Sequence, residues 1–423
     1  MKRLLPFLFL LGAMSAKNLA VAQTWTQFAL ATNNYWRAVA MSADGIQMLA
    51  VQDDPYKGVS GIYKSTNSGA TWFKTSAPTN LHFNTISSSA NGIRLAAVSE
   101  KGIYSSTNGG ETWGLTGVTN GSWFNLISSA DGLKLATLTN IDTTDFYIST
   151  NAGTTWIKTT NAANPSFWGS LAMSADGNKI VAQIGGRQSG EGILTTRSTN
   201  GGATWYVMTN APYNNVGAIP GKNIAMSADG EKIVFACLSS GTKNTSPYSA
   251  PSAIFISTNS GETWLKTSAP SNYWLQVAMS ADGKRIVAAG NSDYLTYHSS
   301  IFTSTNSGAS WVSNALPQQE WPSLACSADG AKIIAGAGYL YQAGAIYLGN
   351  LPQSPTPISV APTNGQLKLA WPVPSTNLVL QQSSDLQNWS ATTNPPTLNT
   401  GNLQNEVVVP ATNGSAFFRL ATP

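Results

Sequence analysis

Ser65-Thr66-Asn67-Ser68-Gly69-Ala70-Thr71-Trp72 is the stretch on which the fold turns. The pattern Ser-Thr-Asn-x-Gly-x-Thr-Trp opens again at Ser106, Ser149, Ser198, Ser257 and Ser304, with Ser310 in place of Thr in the last copy. Each copy reads as a tight turn. The Asn side-chain oxygen is expected to fold onto the backbone two residues on, the Gly to take positive φ, and the Trp to re-enter an apolar interior.

A second signal alternates with the first. Ser-Ala-Asp-Gly occurs at Ser42, Ser129, Ser174, Ser227, Ser280 and Ser327, and Ser-Ala-Asn-Gly at Ser89, which makes seven copies. Each lies between short apolar strands such as Ala38 to Met41 and Ile286 to Ala289, so the Asp-Gly or Asn-Gly pair marks a hairpin. A third strand, such as Gly61 to Lys64, runs into the eight-residue box, and a fourth begins at the box Trp. One repeat is therefore a four-stranded antiparallel blade. Successive turns are 40 to 53 residues apart, a spacing that suits propeller-type repeats, and no helical periodicity competes with it.

Six boxes stand against seven Ser-Ala-Asp-Gly turns. Thr24-Trp25 resembles the tail of a missing box, and Trp321 to Leu348 supplies three strands with no box after them. The two orphans complete one blade, so the expectation is an all-β, seven-bladed β-propeller over residues 23–350, with the strand near Trp25 lying beside the strand near Ile346. Such a pairing removes the open edges that a linear array would expose. Residues 351–357 read as a Pro-rich linker. Residues 358–423 leave the repeat, and their strand-like runs at Gln366 to Trp371, Leu378 to Gln382, Glu406 to Val409 and Ala416 to Leu420 suggest a small all-β, sandwich-like accessory domain.

Residues 1–22 have the three zones of a secretory signal peptide: Lys2-Arg3, an apolar run from Leu4 to Met14, and Ala20-Val21-Ala22. That predicts export to a periplasmic, secreted or cell-surface location, with no membrane span in the mature chain. Without this leader, twenty basic residues face nineteen acidic ones, so nucleic acid is not an expected partner. Charged residues make up 10% of the chain, against about 25% in ordinary soluble domains. The two cysteines, Cys237 and Cys326, fall on non-adjacent blades and are expected to be buried and unpaired. The two histidines, His82 and His298, are too few for a His-rich zinc site. No cofactor or metal is expected, and the chain is expected to be monomeric.

The box resembles the Asp-box, or BNR repeat, usually written Ser-x-Asp-x-Gly-x-Thr-Trp and shared by sialidases, other glycosidases, sorting receptors and photosystem assembly factors. All six copies here carry Asn at the third position: Asn67, Asn108, Asn151, Asn200, Asn259 and Asn306. The resemblance implies a sialidase-like propeller whose boxes are structural and lie away from the functional face. The tail, ending in Phe417-Phe418-Arg419-Leu420, resembles β-rich appendages of exported bacterial proteins. Sialidase chemistry is disfavoured, because the family grips a carboxylate with three arginines. Here Arg94, Arg285 and Arg197 adjoin the regular turns, leaving Arg37 and Arg187 for the other face.

Strand order places both kinds of regular turn on one face and the irregular loops, including Asp53 to Gly61, Thr139 to Phe146, Gln183 to Gly192 and Gly290 to Ser300, on the other. Irregular loops on a rigid scaffold are the usual carriers of function. Six residues before each Ser-Ala-Asp-Gly stand Trp36, Phe83, Trp123, Trp168, Gly221, Trp274 and Trp321. The six aromatic ones are candidate ligand-binding residues, as a stacking platform for sugar rings at the mouth of the channel, against the alternative that they pack between blades. Weak catalytic candidates are Glu320, Asp293 and Asp53, because glycoside hydrolysis needs two carboxylates roughly 5 to 9.5 Å apart. Asp54, Asp142, Asp145, Arg187 and Glu191 share that face. The reading is a non-catalytic propeller that binds a glycan or an extracellular protein through its loop face. The alternative is a polysaccharide-active glycoside hydrolase.

Overall fold

A computed structural model describes residues 23–28, 34–54, 58–118, 123–139, 146–159, 167–185, 194–212, 223–239, 250–291, 299–339, 342–352, 358–364, 366–373, 378–410 and 416–421. The expected leader, Asp142, Asp145, Arg187, Glu191 and Asp293 lie outside these residues. The described chain is all β, in four-stranded antiparallel sheets and one three-stranded sheet. The first sheet orders Trp36–Met41, Met48–Asp54, Val59–Ser65 and Phe73–Lys74 side by side. Five more sheets repeat this order, their first strands being Phe83–Ser88, Trp123–Ser128, Phe167–Met173, Ile224–Met226 and Tyr273–Met279.

The seventh sheet is assembled from both ends of the repeat region. Ser323–Cys326, Lys332–Tyr339 and Gln342–Asn350 take the first three places, and Thr24–Gln27 takes the fourth. Its register pairs Trp25 with Gly349 and Gln27 with Tyr347, and Phe28 N–H donates to Ile346 O at 2.9 Å. The Trp25 indole N–H reaches Asn314 of the sixth sheet at 3.1 Å.

The Ser-Ala-Asp-Gly turns follow from their side chains. Asp44 Oδ1 accepts the Ile46 N–H at 2.9 Å and the Ser42 hydroxyl at 2.5 Å, while Ser42 Oγ accepts the Gln47 N–H at 3.0 Å. Gly45, at φ +63°, occupies the left-handed position that a side chain would strain. The alanine of each turn joins its neighbour by a backbone hydrogen bond. Ala43 N–H donates to Ala90 O, Ala90 to Ala130, Ala130 to Ala175, Ala175 to Ala228, Ala228 to Ala281, Ala281 to Ala328 and Ala328 to Ala43, all at 2.7–2.8 Å. At several turns the residue five places after the Ser reaches across as well. Gln47 donates to Asn91 O, Arg94 to Asp131 O, Lys232 to Asp282 O and Lys332 to Gly45 O. Three of these four side chains are basic, and they clasp one sheet to the next.

The box differs in one detail from its expected geometry. Asn67 Oδ1 accepts from the Thr71 N–H at 2.9 Å, four residues on rather than two, and Asn67 Nδ2 donates to Thr71 Oγ1 at 2.8 Å. Ser65 Oγ accepts the Gly69 N–H at 2.8 Å, and the Trp72 indole N–H returns to Gly69 O at 3.0 Å. The amide supplies a donor that a carboxylate lacks, which any hydroxyl at the seventh position can accept. Ser310 does so from Asn306 at 2.8 Å.

Beyond the seventh sheet, Ser359–Thr363, Gln366–Pro372, Gln404–Pro410 and Thr397–Asn399 form one sheet, and Ser390–Ala391, Val379–Ser383 and Phe417–Ala421 another. Leu369, Trp371, Val407 and Val409 of the first share an apolar core with Leu380, Phe418 and Leu420 of the second. A turn that the sequence reading missed lies here. Ser383 donates to Asp385 Oδ1 at 2.9 Å, Asp385 Oδ1 accepts from the Gln387 and Asn388 N–H groups, and the Trp389 indole N–H donates to Leu386 O at 3.1 Å. This turn is like the box in its Ser and its Trp and has Asp at its centre, but it is one residue shorter, with Asp385 accepting two and three residues on rather than four. It escaped because it has no Gly and its Ser-to-Trp spacing is one residue short, Leu386 alone taking the positive φ, at +64°.

Candidate functional site

The ends of the first strands carry the expected aromatic platform, and the structure corrects it. Trp36, Phe83 and Trp123 are 0% exposed, and Trp274 and Trp321 are 1% exposed. A ring with no exposed face has nothing to offer a sugar. Each instead packs edge to face on an aromatic of the third strand of its own sheet: Trp36 on Tyr63, Phe83 on Tyr104, Trp123 on Tyr147, Trp274 on Phe302 and Trp321 on Tyr347, with centroids 5.2–5.8 Å apart. Such pairs contribute about 0.5–1.5 kcal/mol beyond their burial. The signal was present in the sequence, since four of the partner rings stand two residues before a box Ser. The Trp168 side chain lies outside the described residues.

Asp53, a catalytic candidate, is the penultimate residue of the second strand of the first sheet, and its side chain is 1% exposed. Its two oxygens are engaged by two side chains, Arg37 and His82. Arg37 Nη1 donates to Oδ2 at 3.1 Å, and His82 Nδ1 lies 2.6 Å from Oδ1. Arg37 comes from the first strand of the same sheet, and His82 precedes the first strand of the second. The His82 backbone N–H donates to Glu100 Oε2 at 2.9 Å. The hydrogen bond to Asp53 holds the His82 imidazole above its ordinary pKa against the opposing effect of partial burial, and the ring is half-exposed. This three-residue bridge was not foreseen, because its members come together only where two sheets meet.

Glu320 stands on the same end of the molecule, before the first strand of the seventh sheet, and its carbonyl accepts the Gly338 N–H at 3.1 Å. Its half-buried carboxyl is pushed up to about 7 by desolvation. No hydrogen bond or ion pair to this carboxyl is found among the described residues. Tyr35, whose carbonyl accepts the Asp53 N–H at 3.0 Å, follows Asn34, which bridges to Gly344 of the seventh sheet. Glu320 and the Arg37–Asp53–His82 bridge thus belong to three successive sheets. Cys326, half-buried on the seventh sheet, is a free thiol pushed up to about 12, mainly by burial. The Cys237 side chain lies outside the described residues. Among the described residues no cluster of His, Cys, Asp or Glu could hold a metal ion, and no helix is long and apolar enough to cross a membrane.

No protein-family model matches the sequence, and no curated protein matches it. Solved structures do. YCF48 bound to D1 peptide superposes with a TM-score of 0.52 at 16% identity, over 78% of this chain and 97% of that one. YCF48 from Cyanidioschyzon merolae gives 0.53 at 15% identity, over 78% and 98%. The GH74 xyloglucanase from Xanthomonas campestris gives 0.55 at 13% identity, over 83% of this chain and 60% of the enzyme. These likenesses show the fold, a β-propeller. At such identities they carry no activity with them.

Proposed function

We propose that this chain is an exported, seven-bladed β-propeller of Asp-box type, closed into a ring by Thr24–Gln27 and extended by a small C-terminal β-domain, and that it binds a glycan or extracellular-protein partner through its loop-bearing face without catalysis. The observation that carries the reading is the state of Asp53. A hydrolytic carboxylate must face the scissile bond, whereas both oxygens of Asp53 are held by Arg37 and His82. That leaves Glu320 as the carboxyl without a partner among the described residues of that face, and glycoside hydrolysis works with two. The exposed parts of the Arg37 and His82 side chains offer donors to a partner's carbonyl, hydroxyl or carboxylate groups. A propeller of this fold that holds a peptide, YCF48 bound to D1 peptide, is consistent with such use.

Glycoside hydrolysis stands as a second reading on one observation: a carboxyl held near pH 7 by burial is suited to general-acid work. Probing a glycan array and an extracellular-protein library with the full chain, alongside a screen of chromogenic glycosides, separates the two. Retention weakened by Arg37→Ala, with no turnover, supports binding alone. Turnover abolished by Glu320→Gln overturns it in favour of hydrolysis.

A further inference from the structure

The ring has one break in its covalent path. Gln342–Asn350 and Thr24–Gln27 come from opposite ends of the repeat region, and four register pairs join them. Parting these two strands would also separate the seventh sheet from the first, which meet at their turns through the Ala328 N–H to Ala43 O bond.

A second contact spans the same break. Val373, which is 7% exposed, and Leu403 share an apolar cluster with Ala43, Ala90, Ala130, Ala281 and Ala328. Ala281 and Ala328 belong to the sixth and seventh sheets, before the break, and Ala43, Ala90 and Ala130 to the first three, beyond it. Alanines from both sides of the break thus meet one tip of the tail. Val373 takes no part in the tail's own core, which Leu369, Trp371, Leu380, Val407 and Val409 build.

That tip is held in shape by its own hydrogen bonds. Val373 N–H donates to Leu403 O at 3.1 Å. Asn399 and Asn402 both donate through Nδ2 to Glu406 Oε1, at 2.9 and 3.2 Å, and Asn402 Oδ1 accepts the Gln404 N–H at 3.1 Å. Leu403 itself stands at φ +53°, a region that strains any residue with a side chain. Such strain persists where the surroundings over-determine it, and here the alanine turns supply what the leucine packs against. The chain leading to the tail is pinned as well, since Leu351 N–H donates to Ala331 O and Arg285 Nη2 to Pro352 O, both at 2.7 Å.

We infer that the C-terminal domain is a second clasp on the ring, its Val373–Leu403 tip seated in the alanine turns across the break that Thr24–Gln27 closes. The inference rests on the ring closure proposed above. Two closures in parallel resist opening better than either alone, because the break parts only when both release. A small apolar contact suffices, since the covalent link keeps the tip close to its seat. The same seating puts the tail on the turn-bearing end of the ring, away from the loop-bearing face.

The test is amide hydrogen exchange of the full chain. It is read at Phe28 N–H, which donates to Ile346 O across the break at 2.9 Å, against Met208 N–H, which donates to Thr195 O within the fourth sheet at 2.8 Å. Val373→Asp and Leu403→Gly should each speed exchange at Phe28 about tenfold or more, the worth of one buried aliphatic side chain, with Met208 unchanged. Leu403→Gly is the sharper variant, because it relieves the backbone strain while removing the contact. A tail that was merely an independent domain would keep its stability in this variant and leave Phe28 untouched. Thr392 N–H, bonded to Leu380 O at 2.9 Å within the tail, reports whether the tail stays folded. Should Val373→Asp unfold the tail, seen as lost protection at Thr392, Leu403→Gly decides alone. Exchange at Phe28 that Leu403→Gly leaves unchanged, or that quickens equally at Met208, would overturn the clasp with the ring closure intact. A Phe28 N–H already unprotected in the parent would overturn the ring closure itself, and the clasp with it.

Discussion

Gly69→Ala tests whether the N-terminal strand locks the first sheet to the seventh. Gly69 sits at φ +85°, where a side chain costs about 1–2 kcal/mol on backbone grounds alone. A Cβ there would also overlap the Phe28 ring, which lies beside Gly69 and meets Trp72 edge to face at 5.7 Å. Phe28 follows the strand Thr24–Gln27 and belongs to the apolar cluster of Trp36, Ile334 and Ile346 that joins the two sheets. Overpacking of this kind costs about 1–3 kcal/mol more. Gly153→Ala is the internal control, since its φ of +87° is nearly the same while its Cβ would come no nearer than 3.3 Å to any neighbour, the end of Thr116. Urea denaturation should therefore place Gly69→Ala about 2–5 kcal/mol below the parent and Gly153→Ala about 1–2 kcal/mol below it. In a Phe28→Ala background, Gly69→Ala should lose only its backbone part, giving a coupling of about 1–3 kcal/mol. Equal losses for the two glycines, or a coupling near zero, would refute the placement of Phe28 and with it the locking role of the N-terminal strand.

Three further outcomes can be checked. Trp274→Ala should lower stability by about 3–5 kcal/mol in the same assay, because it empties a buried aromatic site; a change confined to ligand retention would restore the platform. The His82 pKa is raised in the folded state, so the stability it contributes is complete below its ordinary value of 6.5 and fades as pH rises through the folded value; His82→Gln should flatten the fall in melting temperature over that window, an effect muted by the half-exposed ring. The Glu320 carboxyl is likewise raised, from 4.5 to about 7, by burial. Stability therefore falls as pH climbs between those values, and Glu320→Gln should melt higher than the parent at pH 8 yet close to it at pH 4.

The local devices of this protein were legible in its sequence. The Ser-Ala-Asp-Gly and Ser-Thr-Asn-x-Gly-x-Thr-Trp turns are built from bonds spanning at most five residues, such as Gln47 N–H to Ser42 Oγ and Thr71 N–H to Asn67 Oδ1. Their repetition fixes how many strands there are and how they pair. The missing seventh box even pointed to the partner of Thr24–Gln27. Only the tertiary structure decided what those strands bury and what they bring together. Whether Trp36 or Trp274 faces a channel or a neighbouring ring depends on how sheets stack, which a single repeat does not encode. Asp53 meets Arg37 across 16 residues and His82 across 29, a contact made at the junction of two sheets. The placement of Val373 over the alanine turns arises between the repeat region and the tail, where no periodic signal runs. Short-range hydrogen bonding writes itself into sequence as pattern, whereas burial and charge pairing between sheets are set by packing.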